Sequence, residues 1–234
     1  MGAIETTIDK IKQMLVDGQL RPGDRLPVEK DLAASLGVSR NTLREAVRAL
    51  SSLRILQTRQ GDGTYVTSLQ PALLLDGMGF VADLYREDGE LQFLHVRRLL
   101  EPEATALAVG RLTEADLASL GDLLDEAHEL ARAETIDKDR LMANDRAFHT
   151  LITSHCGNPV LSGLVENTSV NTVRARLWRG RLDPGADLRT VAEHQLIYQA
   201  ILDGDSERAR LRAAAHILGV EDAVRAMTVS RPSA

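Results

Sequence analysis

Cysteine and aromatic residues are scarce in this chain. Of 234 residues one is cysteine, and Phe, Trp and Tyr together make up 3 %. A single Cys156 excludes an intrachain disulfide, fits a reducing compartment, and is most simply a small buried apolar side chain. With so few aromatic rings, small aliphatic side chains must fill most of any core. Long apolar runs are also missing: none approaches the roughly 20 residues that span a bilayer. Met1 to Lys12 lacks a basic segment followed by an apolar one, so no secretory signal is read and a cytoplasmic protein is expected. No internal repeat or low-complexity tract stands out.

A net charge of -6 argues at first against a nucleic-acid partner. The charge is unevenly spread, however. Residues 1–70 hold ten Lys and Arg against eight Asp and Glu, whereas residues 71–234 hold 18 against 26. A locally basic module can bind DNA beside an acidic body that does not. The length allows two ordinary domains, read here as 1–70 and 71–234 with the boundary at Gln70-Pro71.

In the first region Ile4, Ile8, Ile11, Met14 and Leu15 recur at helical intervals, predicting a helix that ends near Gly18. Arg21-Pro22-Gly23-Asp24 reads as a turn. A second helix from about Val28 buries Leu32, Ala33 and Leu36, and Gly37 can supply the positive φ that reverses the chain. Ser39 or Asn41 can cap the next helix; Ser39 is the better candidate because the Thr42 amide falls within reach of its hydroxyl. With Leu43, Ala46, Val47 and Leu50 inward, Arg40, Thr42, Arg44 and Arg48 are left for DNA. Residues 55–58 and 64–67 read as strands joined through Arg59-Gln60-Gly61-Asp62-Gly63. The series is that of a winged helix-turn-helix, with Arg59 near phosphate or groove. The competing reading is a solvated charged stripe and an ordinary tight turn.

These residues resemble the GntR superfamily of bacterial transcriptional regulators. The resemblance runs through residues 20–27, Asp31-Leu32-Ala33, Leu36-Gly37-Val38-Ser39-Arg40, residues 43–50 and Gly61-Asp62-Gly63-Thr64-Tyr65-Val66. It implies that Arg40, Arg44 and Arg48 contact operator DNA, with Thr42 a further candidate, and that Gly63 lies at the wing tip. Two positions depart from the pattern. Val28 stands where Ser is common and would cap the second helix better, and Arg54 stands where Gly is common, which points to a strained backbone or an altered turn.

Beyond Pro71, segments 73–84, 91–109, 114–133, 138–153, 161–178, 188–202 and 206–227 have helical length or periodicity, without strand alternation. The expected architecture is mainly α: the winged module followed by an all-helical antiparallel bundle. Asp145 and His149 are four apart on one predicted helix, and antiparallel packing about Leu202-Asp203-Gly204-Asp205 can bring His194 and His216 level. Three imidazoles and a carboxylate suit zinc, nickel, iron or manganese, with positions left open to water or ligand. The spacing equally fits a hydrogen-bonded pair on a helix surface.

Val96 to Ala104, Asp145 to His149, Gly157-Asn158-Pro159, and Glu193 to Ile201 with Gly204-Asp205 resemble the FCD effector domain of the FadR-like branch. That resemblance implies a metal held by Asp145, His149, His194 and His216 that binds a carboxylate effector, and it matches Arg97 to a pocket arginine. Arg97 can clamp the effector carboxylate or pair with Glu101 one turn away. Asn171 and Arg174 are further effector candidates, whereas His95, His128 and His155 read as structural or exposed. The function implied is a homodimeric repressor on a palindromic operator, released by a small hydroxycarboxylic or sugar acid. The rivals are a metal-dependent helical-bundle enzyme acting on a small carboxylic acid and a structural DNA-binding protein. The sequence has no His-Glu-x-x-His motif, since His128-Glu129 is followed by Leu130, Ala131 and Arg132.

Overall fold

A computed structural model describes residues 2–75, 89–170 and 185–229. The chain divides into two compact units, Met1–Leu74 and Leu75–Ala234.

The first unit contains α1 (Ala3–Val16), α2 (Glu29–Leu36), α3 (Arg40–Ser52), β1 (Leu56–Arg59), β2 (Gly63–Val66) and the short α4 (Pro71–Leu74). Its core brings Ile11 of α1, Leu32 and Ala33 of α2 and Leu43 and Leu50 of α3 against Leu56 and Val66 of the strands. The reversal between α2 and α3 passes through Gly37 at φ 66°, a conformation that costs glycine nothing. Ser39 then caps α3 by accepting from the Thr42 amide at 3.1 Å, satisfying one of the donors a helix start leaves open. At Val28 no side chain caps α2, as the hydrocarbon side chain requires. Arg54 adopts φ 57°, the left-handed conformation that its departure from glycine pointed to.

β1 and β2 form an antiparallel hairpin in which Leu56 faces Val66 and Arg59 faces Gly63. Its outer edge is tied to the link between α1 and α2, because Val66 N donates to Asp24 O at 2.8 Å and Leu26 N to Thr64 O at 2.8 Å. The stretch read as a simple turn therefore also fastens the hairpin. Arg25 donates to Asp62 O and lies over Gly63, where a Cβ would meet the guanidinium at 2.6 Å.

Every regular element among the second unit's described residues is a helix: α5 (Gly89–Ala108), α6 (Glu114–Arg132), α7 (Lys138–Ser154), α8 (Pro159–Val170), α9 (Ala186–Leu202) and α10 (Ser206–Val229). Thr113 and Asp116 form a reciprocal capping box at α6, and Asp137 caps α7 by accepting from the Arg140 amide. The main core packs Leu120 and Leu124 with Phe148, Ile152, Ile197 and Ile201, while Ala108, Ala200, Ala209 and Ala213 let the helices approach closely. Pro102 lies inside α5, between Glu101 and Glu103. The α9–α10 hairpin turns through Asp203 and Gly204, the latter at φ 70°, and Asp205 accepts from the Arg208 amide.

The mainly helical architecture with an N-terminal helix and hairpin module is as the sequence predicts. Of the helix expected over 73–84, Leu73 and Leu74 lie in α4, which starts at Pro71, Leu75 is in a turn, and residues 76–84 lie outside those described. The helix expected over 161–178 begins two residues early and is described as far as Val170. Among the described residues no helix is long and apolar enough to cross a membrane.

Candidate functional site

The first unit presents α3 as a candidate nucleic-acid interface. Its apolar positions Leu43, Ala46 and Leu50 are buried, which turns Arg40, Arg44 and Arg48 to solvent at helical repeats of four. Arg44 pairs with Glu29 at 2.9 Å and Arg48 with Glu45 at 2.7 Å, both in exposed pairs. Such surface pairs contribute about 0–1 kcal/mol, so a phosphate can replace the carboxylate at little cost. Thr42 is partly exposed, with its hydroxyl 2.8 Å from Ser39 Oγ. In the wing Arg59 stacks over the Tyr65 ring at 4.4 Å, and Gly63 sits beneath Arg25. Sequence spacing contained no sign of Arg25's part in this, since its partners are 37 residues or more away.

The second unit gathers a different set. α7 contributes Asp145 and His149, one turn apart; α9 contributes His194 and α10 His216. All four are buried, and one ligand atom from each lies within 4.8 Å of the other three. The two ring nitrogens His149 Nε2 and His194 Nε2 meet at 3.1 Å, and Asp145 Oδ1 is 3.6 Å from His194 Nε2 and 3.9 Å from His149 Nε2. Phe148 stacks on the His194 ring at 4.5 Å and forms an apolar wall. Burial first, and then the repulsion that a proton on His194 would meet from the neighbouring His216, His149 and Arg97 side chains, holds the His194 imidazole well below its ordinary pKa, which favours the neutral ring a metal ligand needs.

Carboxylates stand behind two of the rings. Glu101 of α5 lies 2.6 Å from His149 Nδ1, and Glu193 of α9 lies 2.8 Å from His216 Nδ1. Glu101 also receives Nε and Nη2 of Arg97, and both side chains are fully buried. Burial alone would raise the Glu101 carboxyl, but Arg97 and His149 hold it far below the ordinary carboxylate range. The Arg97 Nη1 atom is buried without a hydrogen-bond partner among the described residues. A space partly open to solvent borders Asp145, His194 and His216, with Asn144, Asp187 and Thr190 adding polar groups. Arg97 does not border it.

Donor type, burial and convergence fit a divalent cation of borderline hardness: three imidazoles, one carboxylate and two outer carboxylates. The four residues could hold a metal ion. Asn171 and Arg174 lie outside the described residues. His95 is exposed beside Arg98, and His155 faces Asp116 at 3.3 Å. Glu101 was visible in the sequence only as a partner for Arg97, and Glu193 carried no signal beyond adjacency to His194.

Comparison with known proteins places this geometry. Residues 3–66 match the bacterial regulatory proteins of the gntR family, and residues 92–219 match the FCD domain. The HTH-type transcriptional regulator LutR of Bacillus subtilis (strain 168) is 32 % identical over 215 residues, spanning 89 % of this chain and 95 % of that protein. The galactonate operon transcriptional repressor of Escherichia coli (strain K12) is 27 % identical over 207 residues, spanning 86 % and 87 %. The structure of a Streptococcus agalactiae GntR protein superposes with a TM-score of 0.70 at 26 % identity, covering 94 % of this chain and 99 % of that one. The chain thus belongs to the GntR family of bacterial transcriptional regulators and carries an FCD domain as its helical half.

Proposed function

We propose that this regulator is a homodimeric repressor of the FadR-like branch that leaves a palindromic operator when a small hydroxycarboxylic or sugar acid binds beside a divalent metal, zinc fitting the donor set best. The observation that carries the reading is the convergence of Asp145, His149, His194 and His216 within 4.8 Å. When bound, the metal supplies a Lewis-acidic centre with coordination positions open to an acid's oxygens. Arg97 is the proposed second anchor: two of its nitrogens are committed to Glu101, and Nη1 remains as a charged donor toward a carboxylate. The relative whose name mentions the galactonate operon supports a sugar acid as one class of effector.

Arg40, Thr42, Arg44 and Arg48 are the proposed reading face of α3, with Arg59 and Gly63 in the wing. Twofold symmetry would set two such faces one helical turn of DNA apart. For acid and operator to be coupled, each must lower the other's affinity by the same factor. Acid and operator are read here as favouring different packings of the helices around the cluster.

Operator release is measured by titrating labelled operator DNA with galactonate, lactate and short dicarboxylates, first on zinc-loaded and then on chelated protein. The half-effective concentration of the best acid should rise at least about tenfold on chelation, and similarly in Arg97→Lys, which keeps charge but loses the planar fork. The space beside Asp145 favours a second placement of the acid, against Thr190. Thr190→Val then weakens release while Arg97→Lys does not. Identical curves for loaded and chelated protein would place sensing away from this cluster.

A further inference from the structure

We propose that Glu101 and Glu193 are positioning residues of the metal centre, each taking the Nδ1 hydrogen of one ligand histidine and thereby aiming that ring's Nε2 at the ion. This rests on the reading of Asp145, His149, His194 and His216 as the ligand set.

A neutral imidazole has one N–H and one lone pair, and nothing in the ring itself decides which nitrogen holds the hydrogen. An ionised carboxylate only accepts. Glu101 Oε1 at 2.6 Å from His149 Nδ1 and Glu193 Oε2 at 2.8 Å from His216 Nδ1 therefore each place the hydrogen on Nδ1. The lone pair is left on Nε2. For His149 that nitrogen is the one facing His194 Nε2 and Asp145 Oδ1, at 3.1 Å and 3.9 Å. The carboxylates also restrain ring rotation and raise the basicity of the coordinating nitrogen, two effects that strengthen metal binding.

The two carboxylates are held differently. Glu101 is fully buried and fixed by two nitrogens of Arg97 on the same helix, whereas Glu193 is partly exposed at the α9 surface facing α10. Arg97 consequently acts on the metal through Glu101, in addition to any contact with an acid. Its removal is expected to weaken the metal even when no acid is present.

Cobalt(II) is the probe. Full-length protein is stripped by chelation and titrated while the visible ligand-field bands are followed, and long-range proton–nitrogen spectra of the metal-free protein report the histidine tautomers. Glu193→Gln keeps an acceptor and loses the charge; Glu193→Leu loses both. Affinity should fall about tenfold in the first and up to about 100-fold in the second. His216 should move from the Nδ1–H form toward a mixture in Glu193→Leu, with the melting temperature of metal-free protein nearly unchanged. The paired variant Arg97→Met/Glu101→Gln avoids stranding a buried charge and should weaken cobalt by about 10- to 100-fold, with the same tautomer change at His149. Equal cobalt affinities in every variant would overturn the assignment, as would weaker binding with unchanged tautomers, which would mean that the carboxylates act only by charge. Failure of the unaltered protein to bind cobalt would overturn the metal reading itself, and with it this one.

Discussion

Replacing Arg97 by Met tests the electrostatics behind the cluster without touching a ligand. The arginine and Glu101 are both 0 % exposed and share two hydrogen bonds one turn apart on α5. Methionine is of similar reach, so little volume is lost, but Glu101 keeps only His149 as a described partner for its buried charge. Breaking a buried pair from one side costs about 3–5 kcal/mol, because the remaining charge has left water and lost its counterpart. At about 2–4 °C per kcal/mol for a domain of this size, the melting temperature should fall by about 6–20 °C. Arg97→Met/Glu101→Leu removes both charges and should recover most of that loss. Urea unfolding of chelated protein, followed by circular dichroism at pH 7, gives the free energies of a double-mutant cycle. Acid supplies a second check. Because the folded Glu101 carboxyl lies below its ordinary value of 4.5, its contribution is complete above that pH and is lost as pH falls below it. The advantage of the unaltered protein over the double variant should shrink on the acid side only. A cost under about 1 kcal/mol for Arg97→Met, the value of an exposed pair, would refute the reasoning.

Arg44→Ala should weaken specific operator binding by about 1–3 kcal/mol and leave the fold intact, and an unchanged footprint and affinity would remove α3 from the interface. His149→Ala/His194→Ala, purified without an affinity tag, should lack stoichiometric metal by elemental analysis. Since burial holds folded His194 below its ordinary pKa of 6.5, the neutral ring contributes fully above that pH and progressively less below it. Metal-free protein should therefore lose thermal stability between about pH 7 and pH 5, and His194→Gln should flatten that limb; parallel melting curves for the two proteins would contradict it.

Much of the architecture was legible because local chemistry decides it. Ser39 caps α3, Gly37 turns the chain, and α3 buries Leu43, Ala46 and Leu50 while exposing its arginines, all within residues 37–50. The Asp145–His149 pair is likewise visible in helix periodicity, and the α9–α10 turn lets His194 and His216 be placed level by counting from it. What could not be read depends on packing between distant segments. Nothing in the spacing says that Glu101 lies behind a histidine 48 positions on, or that residues 23–26 bond to β2. The exact start of a helix is also poorly marked by a three-and-four apolar pattern, as at Pro71 and Pro159, each two residues before the start that the pattern suggests.

Pro102 gives α5 a mechanical property apart from its charges. A proline has no amide hydrogen, so the rung that would run from residue 102 to the Arg98 carbonyl is absent from a helix of 20 residues. The missing rung spans Arg98 to Pro102, the turn that carries Glu101 and follows Arg97. Bending α5 at this turn breaks one backbone bond fewer than bending it elsewhere. A bend there would redirect the helix half that ends at Ala108, a lever about ten ångströms long at 1.5 Å per residue, and would carry Glu101 with it.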